Sequence, residues 1–101
     1  MRNLVWDNSF KRAFKRIIRK NPHLEAKMLA ILENLANDQF EPSLKSHKLR
    51  GQLEGLWACW VEYDCRIIYS LDRDSETAEE LIILIDIGTH DEVYVRIQVS
   101  T

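Results

Sequence analysis

The chain has 101 residues, 46% of them apolar and 30% charged, with three Gly and two Pro. That is about one domain by length, 1–101, and the proportions exclude a disordered, collagen-like or low-complexity chain. The longest uncharged apolar run, Leu81 to Ile85, is far short of the roughly 20 residues that span a bilayer. The opening Met-Arg-Asn-Leu-Val-Trp-Asp carries charge on both sides of a short apolar stretch, which is not the pattern of an export signal. A cytoplasmic protein is therefore expected, with no membrane contact. Cys59 and Cys65 form no CxxC pair; they read as buried, reduced thiols rather than zinc ligands or a disulfide.

The net charge of −2 conceals an asymmetry. Residues 1–50 hold 11 Lys/Arg against 5 Asp/Glu, and residues 51–101 hold 3 against 11. Such a split points to one surface that meets a polyanion or an acidic partner. The overall acidity argues against indiscriminate DNA binding.

In chain order, residues 3–6 predict a short strand. Asp7, Asn8 and Ser9 offer capping oxygens for a helix over Phe10–Arg19, whose apolar face (Phe10, Ala13, Phe14, Ile17, Ile18) opposes six Lys/Arg. That basic face reads either as a solvated surface or as a docking surface. Asn21-Pro22 breaks this helix and starts a second, with Leu24, Met28, Ile31, Leu32 and Leu35 as its stripe, ending near Asn37-Asp38. Residues 39–55 show no period and predict a loop. Period two then predicts strands over Leu56–Glu62 and Cys65–Leu71, joined by a tight turn at Tyr63-Asp64. An acidic loop follows over Asp72–Glu80, and a central strand over Leu81–Ile87 ended by Gly88-Thr89. Val93, Val95, Ile97 and Val99 alternate as in a further strand; a short helix from about Asp91 is the alternative. The order β-α-α-β-β-β is that of an α+β fold, with a helical hairpin packed on one face of an antiparallel sheet and the other face left as a working surface.

No Walker loop, GxGxxG, HExxH or GxSxG is present. The titratable groups near strand ends are His47, Glu62, Asp64, Arg66, His90 and Asp91. Two His and an Arg suffice for metal-free phosphoryl transfer: one group takes a 2′-hydroxyl proton, another protonates the leaving 5′-oxygen, and Arg neutralises the phosphorane. Each His also fits a solvated or capping role, and Trp6, Trp57 and Trp60 fit packing. Arg66 inside an apolar strand must reach a partner or a solvated face.

The segments HKLRG (47–51), LEGLW (53–57), DCRIIY (64–69) and IGTHDEVY (87–94), in this order and spacing, resemble the RelE/ParE superfamily of bacterial type II toxins, within it the RelE/StbE and YafQ-like branch. The resemblance covers roughly residues 44–94. It implies a RelE-like fold and an endoribonuclease that cuts mRNA, mostly in the ribosomal A site, by 2′-hydroxyl attack. The product is a 2′,3′-cyclic phosphate, no metal or other cofactor is used, and a cognate antitoxin holds the toxin in a hetero-oligomer such as a heterotetramer. By motif, His47, Asp64, His90 and Tyr94 match the branch's catalytic positions, and Arg66 matches the strand Arg that other RelE-like toxins set on the scissile phosphate. In the reading this implies, His90 is the general acid, His47 or Asp64 the base, and Tyr94 orients or stacks the substrate. Lys45, Lys48 and Arg50 are the expected phosphate contacts. Trp60 stands where the pattern has a further His; an indole cannot serve as a base, but it can stack on a nucleobase. The same scaffold also serves ParE-like gyrase inhibitors and inactive members, which are the alternatives.

Overall fold

The computed structural model describes residues 2–62 and 64–99, with side chains through Ile97. Strand β1 (Asn3–Trp6) leads into helix α1 (Asn8–Lys20) and then α2 (Glu25–Asn37). Strands β2 (His47–Lys48), β3 (Trp57–Glu62), β4 (Cys65–Arg73) and β5 (Glu80–Thr89) follow, and helix α3 (His90–Val99) closes the order. The α+β reading holds. The sheet has five strands in the order β1-β5-β4-β3-β2. It is mixed rather than wholly antiparallel, because β1 runs parallel to β5, with Asn3 beside Leu81 and Trp6 beside Leu84.

The helical hairpin covers one face. Phe10 and Ala13 of α1 and Met28, Leu32 and Leu35 of α2 are buried against Cys59, Val61, Ile67, Tyr69, Ile82 and Leu84. Trp6 meets Phe10 edge-on at 5.1 Å between ring centroids, which fixes the turn from β1 into α1. The six cations of α1 stay exposed on the opposite side. Asp7 occupies the N-cap position, but its side chain makes no capping bond. Ser9 instead donates to the Ile85 carbonyl at 2.6 Å and so covers a sheet-edge acceptor beyond the end of β1. Asn21 likewise makes no side-chain cap, and Pro22 opens a 3₁₀ turn (Pro22–Leu24) that precedes α2.

The predicted loop over 39–55 holds more order than its lack of period suggests. It contains two further 3₁₀ turns, Pro42–Leu44 and Gly51–Leu53, and the two-residue strand β2. The acidic loop is shorter than expected, since β4 runs on to Arg73 and β5 begins at Glu80. Of the predicted turn at Tyr63-Asp64, Tyr63 lies outside the described residues. Both cysteines are free, Cys59 buried and Cys65 half-buried. Burial pushes the Cys59 thiol up to about 12 and the Cys65 thiol to about 11. Among the described residues, no helix is long and apolar enough to cross a membrane.

The second face of the sheet is not left open. The predicted C-terminal strand is a helix, and α3 lies on that face. Val93 is fully buried with Leu49, Leu53, Ala58 and Ile68, while Tyr94 and Ile97 pack against the same cluster. Val93 and Ile97 are four apart and share a helical face, whereas Val95, the intervening member of the apparent alternation, is 58% exposed. The helix starts with a capping box. Thr89 N–H donates to Glu92 Oε1 at 2.9 Å, and Glu92 N–H donates to Thr89 Oγ1 at 3.2 Å. The Thr89 N–H holds the Glu92 carboxyl below its ordinary range.

Gly88 sets how closely α3 approaches. A Cβ there would stand 2.8 Å from Arg96 Nη2, 3.2 Å from Glu92 Oε1 and 3.5 Å from Val93. Gly88→Ala is expected to cost about 1–3 kcal/mol by overpacking. The loss should appear as a lower midpoint in thermal or urea unfolding; an unchanged midpoint would mean that α3 has room to lift.

Candidate active site

Strand register places the predicted residues by face. His47 pairs with Ala58, Trp60 with Arg66, and Arg66 with Gly88. Directly paired residues share a face. Ala58 belongs to the cluster under α3, so His47, Trp60 and Arg66 all lie on the α3 side of the sheet. Tyr94 packs into this cluster from above. Its ring lies 4.1 Å from that of His90, one turn earlier in the helix. The five residues therefore occupy one face, brought there by three strands and a helix start.

His47 is exposed, and its Nδ1 lies 3.0 Å from the Lys45 carbonyl. A carbonyl only accepts, so Nδ1 carries the proton in the neutral ring and Nε2 keeps its lone pair. Lys45 reaches this position in a left-handed conformation, φ 49°. Its Nζ stands 4.8 Å from the centroid of the Trp60 ring. One residue thus orients His47 through its backbone and meets Trp60 through its side chain.

Arg66 is half-buried. Its Nη1 is inaccessible to water and makes no hydrogen bond among the described residues. The nearest carboxylate, Asp64 Oδ1, is 3.6 Å away on an exposed side chain, too far for a hydrogen bond. A buried guanidinium nitrogen left in this condition is costly, and an anionic ligand would satisfy it. Asp64 joins the group through this ion pair. His90 is half-exposed at the first position of α3, its Nδ1 3.4 Å from Asp91.

The predicted phosphate contacts divide. Arg50, Lys48 and His47 line an open cleft of about 680 Å³ beside β2, together with Glu54, Leu56 and Trp57. Lys48, next to His47 in the strand, points the other way. Its Nζ lies over Trp57, 5.6 Å from the ring centroid, and Trp57 packs with the helical-hairpin core. Lys48 therefore lies on the helical-hairpin side of the sheet edge, across the strand from His47. Trp57 stacks on Tyr69 and meets Phe40 edge-on, and with Trp6 it bears out the packing reading.

The sequence pattern described as "Bacterial toxin of type II toxin-antitoxin system, YafQ" matches residues 2–95. The chain belongs to the YafQ family of bacterial type II toxins. The family assignment agrees with the likeness to solved structures. YafQ from E. coli strain BL21(DE3) superimposes with a TM-score of 0.67 at 23% identity, over 93% of this chain and 99% of that one. A YoeB/ParE toxin from Agrobacterium tumefaciens gives 0.72 at 20% identity, over 87% and 98%. The E. coli DinJ–YafQ complex gives 0.62 at 23% identity, over 93% and 99%. None of the curated proteins matches the sequence significantly.

The family match ends at residue 95, one short of a residue that the sequence reading passed over. Arg96 grips Asp86 on β5, with Nε to Oδ2 at 2.9 Å and Nη2 to Oδ1 at 3.0 Å, and its Nη2 also donates to the Ile87 carbonyl at 3.1 Å. The available signal was a single Asp within the otherwise uncharged run from Leu81 to Thr89. A carboxylate in a central strand has to find a cation or a donor.

Proposed function

We propose that this YafQ-family toxin is an endoribonuclease that cuts mRNA in the ribosomal A site, without a metal, and that a cognate antitoxin restrains it in the cytoplasm. The observation that carries the reading is Arg66: a guanidinium nitrogen, buried and without a hydrogen bond among the described residues, on the same sheet face as His47. In the mechanism, His47 Nε2 takes the proton from a ribose 2′-hydroxyl, with Asp64 as the other candidate base. O2′ attacks the phosphorus and forms a bond to it. The P–O5′ bond breaks, and His90 gives its proton to the leaving O5′. The products are a 2′,3′-cyclic phosphate and a 5′-hydroxyl. Arg66 neutralises the charge that builds on the non-bridging oxygens. Tyr94 orients the substrate, Trp60 stacks on a base, and Lys45, Lys48 and Arg50 meet flanking phosphates.

The partner reading is supported by the DinJ–YafQ complex, in which a related toxin is held by a second protein. The exposed cations of α1 suit an acidic segment of such an antitoxin, in a heterotetramer or a similar oligomer.

Primer extension on a defined mRNA, with and without programmed ribosomes, tests the reading. Cuts that need ribosomes and vanish in Arg66→Ala/His90→Ala protein are the expected result. Cuts without ribosomes would change the substrate. Folded protein that makes no cuts, but blocks gyrase supercoiling, would replace the nuclease with a ParE-like inhibitor.

A further inference from the structure

Helix α3 carries His90 and Tyr94, so whatever seats α3 decides where those rings stand. Its seat on β5 consists of two positions on one face, Asp86 and Gly88. Asp86 pairs with Ile68 and Gly88 with Arg66 in the neighbouring strand. Gly88 removes a side chain so that α3 can come close, and Asp86 supplies a carboxylate that is only 4% exposed. Arg96 meets both of its oxygens, and the planar guanidinium fork fixes direction as well as distance. The third bond, to the Ile87 carbonyl, covers an acceptor at a stretch of β5 beyond the end of β1. The Asp86 hydrogen bond raises the already high pKa of Arg96, so the guanidinium keeps its charge at any working pH.

Apolar packing alone would leave α3 free to slide, since only Val93 is fully buried in its described part. The capping box fixes the first turn, and Arg96 fixes the last described turns. Between these two anchors stand His90 and Tyr94.

We propose that Arg96, seated on Asp86, is a positioning residue that holds α3 so that the His90–Tyr94 pair faces Arg66; the proposal rests on the nuclease reading. Arg96 lies just past the residues of the family match, 2–95.

The test uses the full chain. Single-turnover cleavage, steady-state kinetics, thermal melting and histidine-ring NMR are compared for wild type, Arg96→Ala, Arg96→Lys and Asp86→Asn. Asp86→Asn keeps the shape and breaks the ion pair if Arg96→Ala fails to fold. The expected result is kcat about 10–100-fold lower with KM little changed, as for a misplaced catalytic group. The His90–Tyr94 ring contact should weaken in the same variants, and Arg96→Lys should recover part of the rate. A folded Arg96→Ala protein with wild-type kcat and an intact ring contact overturns the positioning role and leaves the nuclease standing. Wild-type protein that cuts no RNA overturns the nuclease reading, and the positioning role with it.

Discussion

Arg66→Ala protein is expected to lose about 10²–10³-fold in RNA cleavage, the usual cost of removing one preorganised donor from developing transition-state charge. Arg66 sits on β4 between β3 and β5, so its backbone is held on both sides. Gly88 across from it leaves no side chain to compete for the space. The Asp64 carboxylate, 61% exposed at 3.6 Å, screens the charge weakly and is easily displaced. A phosphate that enters finds a fixed donor rather than one that must be gathered from solution. Arg66→Lys should rescue little, because an ammonium carries the charge without the fork. Stability should hardly change in either variant, since the side chain gives up no hydrogen bond from Nη1. Cleavage of a labelled oligoribonucleotide, read beside a thermal melt, separates the two effects. A folded Arg66→Ala protein within tenfold of wild type would remove Arg66 from the chemistry.

The sequence made the helical hairpin and the three long strands legible because each repeats its period many times. Phe10, Ala13, Phe14, Ile17 and Ile18 leave one helical solution, and Leu81–Ile87 is too apolar for anything but an interior strand. The elements that escaped are short or depend on distant residues. Strand β2 has two residues and exists only because β3 pairs with it. The parallel pairing of β1 with β5 joins residues almost 80 positions apart, which no local pattern encodes. In α3, spacing two and spacing four coincide: Val93, Val95, Ile97 and Val99 satisfy a strand, yet Val93 and Ile97 alone also satisfy a helix. Thr89 and Glu92, three apart, were the local signal that favours the helix. The site residues came from the family resemblance, but their common face came from register. Lys48 shows the difference, since adjacency to His47 in sequence puts it on the opposite side of the strand. Asp86 and Arg96 make sense only as a pair, and nothing in either residue's neighbourhood names the other.

His90→Ala protein is expected to fall about 10²–10⁴-fold in cleavage rate, the range for a lost general acid. Its ring is half-exposed at the start of α3, so the substitution removes little buried surface and melting should stay near wild type. Tyr94→Phe keeps an aromatic ring against His90 and should cost less than His90→Ala, which tells ring contact from proton transfer. The sharper measurement changes the leaving group. Replacing the bridging 5′-oxygen of the substrate with sulfur gives a thiolate that departs without needing a proton. If His90 protonates O5′, His90→Ala and wild type should cut this substrate at similar rates, while the oxygen substrate still separates them widely. If His90 only holds or stacks the RNA, the defect will be the same size on both substrates. The proton donor then has to be sought elsewhere on the face, and His47 is the other imidazole there. Its Nδ1 is turned to the Lys45 carbonyl, so it would have to reach O5′ through a protonated Nε2. The base role would then pass to Asp64, whose Oδ1 stands 3.6 Å from Arg66.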